Sequence, residues 1–463
     1  MSWEELEERV REWERRMNPQ QREAAEAIVK SWNEAGEEKF VFPIVNGPPG
    51  TGKTHVAAVG CAKYVLQGRE EGEKPEVVYL CKTNFACERA KEVLFSLGFT
   101  FCPPGTTVPD VPLAARIKAG EQRFQWKDGV VGWDDAGKMD MDMLKVHHVL
   151  VATVHSAGKS YPLRGKTKIV VDEFSQVNAM DFFAAVERVC RGGGGLQGLA
   201  LLGDPLQLPL VTTQSELRTN IFSWLQMRFH SRVLPRHELR RQYRMNEEIC
   251  EGVNRIREEM GSYRLETARE VKRRRLQIEL PGSLPKGIRR ALDPDHPLVL
   301  VDTSGLGEER RGFGQAVGDR SVSNPGEAKL AARLAYEAMR LAGPRAVKVL
   351  TPYSAQERTI RGEMKRLAGE EGEEAVSTIW RAQGQEWPCV IVSLVRNNRG
   401  ETPEKRWGFL GDEFLMAQIY VAASRAQSKL VVLASQETFR EHRLVWALWE
   451  TPGALHMGGE ELR

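Results

Sequence analysis

The sequence predicts an α/β protein of two tandem domains, each built on a doubly wound parallel sheet. Two observations support this fold class. Short apolar runs alternate with helical segments, which is typical of parallel sheets covered by helices. The alternation then resumes in the second half of the chain. At 463 residues the chain also exceeds what one hydrophobic core ordinarily supports. We therefore expect two domains, over residues 1–232 and 233–463.

The elements follow from these runs in chain order. Predicted strands of the first domain cover residues 40–45, 77–80, 148–153, 169–171 and 199–202, with helices at 57–67 and 87–96. Predicted strands of the second domain cover residues 298–302, 346–350, 390–394 and 430–433, with a helix at 325–341. Residues 101–147 fit neither pattern, and we interpret them as a small insertion in the first domain.

Composition excludes several protein classes. The chain is 41% apolar and 28% charged, with a net charge of +3, so its overall charge does not by itself indicate a nucleic-acid partner. Seven cysteines without a Cys-x-x-Cys pair argue against a disulfide framework and against a zinc or iron–sulfur module. We find no signal peptide and no apolar run long enough for a membrane span. These features predict a soluble protein of a reducing, cytoplasmic compartment with no membrane partner.

A phosphate-binding loop follows the first predicted strand. The segment Gly47-Pro48-Pro49-Gly50-Thr51-Gly52-Lys53-Thr54 has the G-x-x-x-x-G-K-[ST] spacing in a strand–loop–helix context. Glycines let backbone N–H groups surround phosphates, Lys53 would reach the β- and γ-phosphates, and the Thr54 hydroxyl would bind Mg²⁺. The alternative is a chance match in a glycine-rich loop. The context favours a site for ATP and Mg²⁺.

Two adjacent carboxylates follow the predicted strand at 169–171. Asp172 is placed to hold Mg²⁺, and Glu173 to orient and deprotonate the attacking water. A solvated acidic turn is the alternative interpretation. Together with the phosphate-binding loop, the pair predicts an ATPase.

Six further segments, in order, resemble motifs of superfamily 1 helicases, most closely the up-frameshift-like group of the B branch. They are Asp172-Glu-Phe-Ser-Gln176, Gly203-Asp-Pro-Leu-Gln207-Leu-Pro209, Arg241-Gln-Tyr-Arg244-Met245, Thr351-Pro-Tyr353-Ser-Ala-Gln356, Gln383-Gly-Gln-Glu386 and Tyr420-Val-Ala-Ala-Ser-Arg425-Ala426. The resemblance implies two RecA-like domains. It also implies movement in the 5′-to-3′ direction on single-stranded nucleic acid.

The resemblance also assigns roles to residues of the nucleotide site. Gln207 would sense the γ-phosphate, and Arg244 and Arg425 would act as arginine fingers, a task that suits the guanidinium fork. Gln21 would read the adenine edge, although a helix N-cap at Asn18 explains the same segment. Tyr243 would stack on adenine and Glu386 would touch the nucleotide, against the alternatives of a core tyrosine and an exposed glutamate.

Family positions place the nucleic-acid contacts at the carboxyl ends of predicted strands, where open α/β sheets bind ligands. The expected contact residues are Thr83, Asn84, Phe85, Thr153, His155, Pro352, Tyr353 and Thr378. Helix capping is the alternative role for the threonines and the asparagine. A basic run, Lys272-Arg-Arg-Arg275, is either an extension of this track or a solvated charged face.

Two departures from the family pattern affect the expected activity. The fifth motif lacks its usual Asp and Phe at Ile379-Trp-Arg-Ala382, and Tyr420 stands where the group favours Asn. ATP hydrolysis and translocation are therefore better supported than duplex unwinding. The leading hypothesis is an ATP-dependent helicase or translocase. The alternatives are a translocase that remodels protein–nucleic acid complexes without unwinding, and a nucleotide-gated binding module with little turnover.

Overall fold

The computed structural model describes most of the chain and divides it into two units. The described residues are 2–35, 42–72, 75–101, 112–117, 123–126, 129–132, 148–157, 167–190, 195–208, 219–229, 236–307, 310–311, 321–413 and 415–462. Unit 1 comprises Met1–Pro205 and Pro209–Leu239, and unit 2 comprises Leu206–Leu208 and Arg240–Arg463. Among these described stretches, no helix combines the length and the apolar character that a membrane crossing requires.

Unit 1 contains strands and helices in alternation. Its strands are β1 (Ile44–Asn46), β2 (Glu76–Cys81), β3 (Thr100–Phe101), β4 (Leu113–Ile117), β5 (Arg123–Trp126), β6 (Gly129–Gly132), β7 (Val149–Thr153), β8 (Thr167–Asp172), β9 (Leu196–Gly203) and β10 (Arg236–Glu238). Its helices are α1 (Trp3–Arg16), α2 (Pro19–Glu34), α3 (Lys53–Glu70), α4 (Asn84–Leu97), α5 (Ala179–Cys190) and α6 (Ile221–Phe229).

Eight strands of unit 1 form one parallel sheet in the order β10-β1-β9-β8-β2-β7-β4-β3. Alternate strand residues face opposite sides, so Val77 and Tyr79 pack in one apolar cluster and Val78 and Leu80 in another. Helices α1 to α4 cover the first side, and α5 and α6 cover the second. Both faces are therefore buried, as parallel sheets require.

Unit 2 has the same style of construction. Its strands are β11 (Arg241–Gln242), β12 (Glu266–Thr267), β13 (Leu298–Asp302), β14 (Arg310–Arg311), β15 (Val322–Ser323), β16 (Val347–Thr351), β17 (Val376–Thr378), β18 (Trp387–Ser393), β19 (Ala426–Ala434) and β20 (Leu455–Gly458). Its helices are α7 (Glu247–Glu259), α8 (Lys286–Leu292), α9 (Pro325–Ala342), α10 (Ser354–Glu374), α11 (Pro403–Trp407), α12 (Ala417–Ala423), α13 (Gln436–Phe439) and α14 (Arg443–Trp449).

The main sheet of unit 2 has six parallel strands in the order β17-β16-β18-β19-β13-β20. Helices α7, α12 and α14 pack on one face, and α8, α9 and α10 pack on the other. The predicted fold class of two tandem α/β domains with doubly wound parallel sheets is confirmed.

The segment 101–147 differs in part from the insertion that the sequence predicts. Strand β4 lies within it and pairs with β7 and β3, so this part belongs to the main sheet of unit 1. Strands β5 and β6 form a separate antiparallel pair. Residues 102–111, 118–122, 127–128 and 133–147 lie outside the described part of the chain. The sequence pattern concealed β4 because Leu113–Ile117 places an arginine in its apolar run.

Candidate ATP site and nucleic-acid contacts

The phosphate-binding loop joins β1 to the start of α3. The Gly47 N–H donates to the Gly203 carbonyl at 2.8 Å, which fixes the loop to the end of β9. Gly50 and Gly52 have φ angles of 78° and 84°, a left-handed conformation that glycine adopts without steric cost. Helix α3 begins at Lys53 without a side-chain cap, so its first N–H groups remain available to an anion.

Gly47 is required for the path of the Lys53 side chain. A Cβ atom at position 47 would lie 2.3 Å from Lys53 Cγ, far inside van der Waals contact. Lys53 is buried, and its Nζ lies 3.4 Å from Glu173 Oε1. The glycine at position 47 therefore allows the buried ammonium group of Lys53 to lie beside the carboxylates at the end of β8.

Asp172 is the centre of a buried hydrogen-bond group. Its Oδ2 accepts from the Thr54 hydroxyl at 2.9 Å and from the Tyr79 hydroxyl at 2.8 Å. Burial, followed by repulsion from Glu173, raises the pKa of the Asp172 carboxyl. Tyr79 was missed by sequence reasoning. The available indication was a hydroxyl-bearing residue within an apolar strand, since a buried tyrosine O–H requires an acceptor.

Glu173 has an unusual backbone conformation. Its φ of 57° lies in the left-handed region, which costs energy for a residue with a side chain. Its N–H donates to Asp172 Oδ1 at 2.9 Å. Its Oε2 atom is buried and has no hydrogen-bond partner within the described residues. A strained, incompletely bonded carboxylate beside a lysine is therefore available to a ligand.

These donors fit magnesium when it is bound together with a nucleotide. The hydroxyl of Thr54 and the carboxylate of Asp172 are hard oxygen ligands on neighbouring elements. The described residues contain no group of three or more His, Cys, Asp or Glu side chains that could hold a metal ion. Magnesium commonly keeps water and phosphate oxygens as its other ligands, so a two-residue set matches its preference.

The Gln21 side chain lies beside the phosphate-binding loop and is held there by hydrogen bonds. Its Oε1 accepts from the Asn18 N–H at 3.0 Å, while the Asn18 side chain accepts from the Gln21 N–H at 3.0 Å. Its Nε2 donates to the Thr51 carbonyl at 2.9 Å. The residue thus joins the N-terminal capping box of α2 to the phosphate-binding loop. Its predicted role in adenine recognition stays a prediction.

The predicted residues of unit 2 form a second group. Arg244 Nε donates to Glu386 Oε2 at 2.6 Å, and its Nη1 donates to the Ser424 carbonyl at 2.9 Å. Arg425 is buried, and its Nε donates to the Val421 carbonyl at 3.0 Å. The structure thus brings Arg244 and Glu386 into direct contact, which the sequence motifs do not show.

Gln207 and Tyr243 also lie in unit 2. Gln207 is buried, with its Oε1 3.5 Å from Gln383 Nε2. Tyr243 is half-buried. The contact links the third motif to the glutamine-glycine motif, while the roles of both residues stay predictions.

In unit 1, the predicted nucleic-acid residues lie at two strand ends. Thr83 caps α4 by accepting from the Ala86 N–H, and Phe85 is 47% exposed. After β7, the Thr153 hydroxyl lies 2.7 Å from that of Ser156, and exposed His155 has its Nε2 3.2 Å from Lys82 Nζ. Of these residues, Phe85 and His155 therefore present exposed rings that a base or phosphate can reach.

Asn84 is the first residue of α4 and is exposed. Lys82 Nζ also donates to Asp181 Oδ2 at 3.0 Å. Asp181 was missed by sequence reasoning, because it belongs to α5 and follows none of the predicted strands. It holds the lysine beside His155.

In unit 2, the predicted contacts are more enclosed. Tyr353 is buried, packs against Phe409 in a tilted ring contact with centroids 4.4 Å apart, and donates to the Trp407 carbonyl at 3.3 Å. Pro352 is buried, and Thr378 is half-buried at the end of β17. Tyr353 therefore packs within its unit in this structure, and base stacking would require its ring to be uncovered.

Comparisons with known proteins match both halves of the chain. Two models described as AAA domain cover residues 30–213 and 220–437. Mouse 3'-5' exoribonuclease HELZ2 is 28% identical over 66% of the chain and 10% of its own length. Chicken DNA replication ATP-dependent helicase/nuclease DNA2 is 23% identical over 92% of the chain and 38% of its own length. Regulator of nonsense transcripts 1 from Caenorhabditis elegans is 25% identical over 87% of the chain and 37% of its own length. The chain thus spans well under half the length of these relatives.

Proposed function

Because the chain belongs to the superfamily 1 helicases, we propose that it is a nucleic-acid-dependent ATPase that works as a helicase or translocase on single-stranded nucleic acid. The observation that carries the proposal is the Lys53, Thr54, Asp172 and Glu173 cluster, with the buried Glu173 Oε2 lacking a hydrogen-bond partner among the described residues. A binding module without turnover has no need for such a carboxylate. The relatives' helicase names support the same class.

Each residue of the cluster has a distinct task in hydrolysis. Backbone N–H groups at the start of α3 would hold the phosphates, and Lys53 would neutralise the β- and γ-oxygens. Glu173 Oε2 would accept a proton from the water that attacks the γ-phosphorus. Thr54 and Asp172 would hold Mg²⁺, which supplies charge neutralisation between the phosphates. Tyr79 would keep Asp172 oriented through the 2.8 Å hydrogen bond.

We include Arg244 and Arg425 as the groups that stabilise charge on the transferred phosphoryl. Both guanidinium groups are held by donation to backbone carbonyls, and Arg244 is also held by Glu386. Restraint of a long side chain reduces the entropy lost when it binds phosphate oxygens. Gln207 is proposed as the γ-phosphate sensor.

The proposed strand contacts are Thr83, Asn84, Phe85, Thr153 and His155 of unit 1 and Pro352, Tyr353 and Thr378 of unit 2. Exposure of Phe85 and His155 supports a role for these two in stacking or phosphate binding. The 5′-to-3′ direction, the use of ATP with Mg²⁺, and an intracellular location remain parts of the proposal.

The test is a steady-state ATPase assay with oligo-dT, with oligo-U and without polymer. We expect at least one polymer to stimulate turnover, and the Lys53→Ala variant to show no stimulated turnover. Equal rates in all three conditions, together with no polymer retention, would contradict the proposal. Duplexes with 5′ or 3′ single-stranded tails then separate a helicase from a translocase that leaves duplex intact.

A further inference from the structure

Unit 2 contains a cavity of about 800 Å³ that lies outside the residues assigned above. We call it the basic pocket and define it by Arg269, Lys272, Arg273, Arg274 and Arg275, and Gln427 and Ser428 also line it. The segment 269–275 carries five cationic residues against one glutamate. The whole chain has a net charge of only +3, so positive charge is concentrated here far above the average.

Two of the exposed cationic residues form no ion pair within the part of unit 2 that the structure describes. Lys272 pairs with Glu247 at 2.9 Å, and Arg275 pairs with Glu248 at 3.2 Å. Arg269 and Arg273 are exposed and form no ion pair with any residue that the structure describes. Two guanidinium groups at the cavity therefore retain their capacity to bind an anion.

The backbone of the basic segment is held in place. The Asn246 side chain donates to the Lys272 carbonyl at 3.3 Å and to the Arg274 carbonyl at 2.9 Å. Val271 and Leu276 are buried and anchor the segment to the unit. A fixed backbone limits the conformational entropy that ligand binding must remove, which distinguishes the pocket from a mobile solvated run.

The location of the pocket argues for a small ligand. Ala346 and Pro388 line it at the amino ends of β16 and β18, whereas Tyr353 comes just after the carboxyl end of β16 and Thr378 is the last residue of β17. The pocket thus opens at the opposite edge of the sheet from the proposed strand contacts of this unit. Its volume also lies within the range of small-molecule sites.

We propose that the basic pocket is a second anion site, which binds a compact polyphosphate of the size of inorganic triphosphate or a nucleotide. Guanidinium groups suit this ligand because they donate paired hydrogen bonds to phosphate oxygens. Arg269 and Arg273 supply the exposed charges that form no ion pair with described residues, and half-buried Arg274 also lines the pocket.

A ligand bound in the basic pocket would also affect the residues proposed for ATP hydrolysis, a consequence that rests on the proposed function. Arg274 Nη1 donates to the Arg244 carbonyl at 2.7 Å, and Gln427 Nε2 donates to Glu386 Oε1 at 2.9 Å. A ligand that draws Arg274 or Gln427 toward itself therefore alters the support of the Arg244–Glu386 pair. The effect on turnover is separate from binding itself.

The test uses inorganic triphosphate and isothermal titration calorimetry on the full chain carrying Lys53→Ala, which disables the phosphate-binding loop. We expect one remaining site, and we expect Arg269→Ala/Arg273→Ala in that background to weaken it at least about tenfold, since charge-assisted hydrogen bonds are lost. The matched control is Lys365→Ala/Arg366→Ala, which removes two exposed cations of α10. Thermal unfolding midpoints verify that both double variants fold.

Three results would overturn the proposal. Unchanged triphosphate affinity in Arg269→Ala/Arg273→Ala would show that segment 269–275 is a solvated charged surface and not an anion site. An equal loss in the control pair would show a general charge effect. Weaker binding of oligo-dT or oligo-U with unchanged triphosphate affinity would assign the pocket to a strand. ATP turnover that ignores polymer would contradict the proposed function and leave the triphosphate result intact.

Discussion

The two units each place a strained residue after a central strand, but they differ in how a side-chain carboxylate at that position is hydrogen-bonded. Among the described residues, the non-glycine residues with positive φ are Glu173 after β8, at 57°, and Val395 after β18, at 74°. Val395 is buried, and its N–H donates to Glu327 Oε1 at 2.8 Å. In both units the N–H of the strained residue therefore donates to a buried carboxylate, Glu327 in unit 2 and Asp172 in unit 1.

The two units differ in the hydrogen bonding of the Glu327 and Glu173 side-chain carboxylates. Glu327 is fully buried and accepts from the Ser393 hydroxyl at 2.7 Å, the Thr303 hydroxyl at 3.0 Å and the Val395 N–H. Glu173 Oε2 is buried without a hydrogen-bond partner in the described part of the chain. Burial without such a partner is costly, so its persistence favours a ligand-dependent role. The Glu327 carboxylate of unit 2 is thus structural, whereas Glu173 of unit 1 is the carboxylate for which we propose a chemical role.

The largest expected effect tests whether unit 2 also contributes to chemistry. Arg425→Ala should reduce polymer-stimulated ATP turnover by roughly 10³-fold, because the proposed contact of its guanidinium with the transferred phosphoryl is lost. Single-turnover hydrolysis with a separate nucleotide-binding measurement distinguishes the roles. A change confined to nucleotide affinity would assign Arg425 to binding and preserve the division between the units.

The second prediction concerns the structural carboxylate. Glu327→Leu leaves three buried donors without their acceptor and should lower the free energy of unfolding by about 3 kcal/mol or more. Urea denaturation followed by circular dichroism measures the change. The control is Glu370→Leu at an exposed position of α10, for which we expect little effect. An equal decrease in the free energy of unfolding in both variants would show that the hydrogen bonds of Glu327 do not contribute specifically to stability.

The third prediction tests the chemical role that we propose for Glu173. Glu173→Gln should retain ATP binding and reduce turnover at least ~100-fold, because the amide cannot accept the proton of the attacking water. Fluorescent-nucleotide titration and phosphate release measure the two properties. Near-normal hydrolysis would remove Glu173 from the mechanism.

The smallest effect concerns pH and a buried cation of unit 2. Burial lowers the pKa of Lys429 to about 7, while its Nζ donates to the carbonyls of Asp293 and His296. Between pH 7 and about 10 the unfolded chain holds this proton and the folded chain does not, so stability from this group rises with pH.

Lys429→Met should therefore reduce the slope of the free energy of unfolding against pH by up to about 1.4 kcal/mol per pH unit. Urea unfolding at pH 7, 8 and 9 provides the slopes. The control is Lys348→Met, another lysine at a strand of the same sheet that is less buried. Identical slopes for Lys429→Met and the unmodified protein would mean that Lys429 retains its proton in the folded state.

Local sequence predicted the parts of the site that are contiguous in the chain. The loop at Gly47–Thr54 and the Asp172–Glu173 pair were predictable because spacing and a strand context define them. Tyr79 was not, since its bond to Asp172 depends on the pairing of β2 with β8. Tyr353 illustrates the same limit, because its burial depends on Phe409, which lies far away in the sequence.

The bonding of Gln21 complicates any study of base selectivity. Its amide closes the start of α2 and holds the Thr51 carbonyl at the same time. Shortening the Gln21 side chain would remove hydrogen bonds both from the start of α2 and from the phosphate-binding loop. Base selectivity in such a variant should therefore be measured as the ratio of the affinities for ATP and GTP. The weakened loop affects both nucleotides equally, so its effect cancels in that ratio.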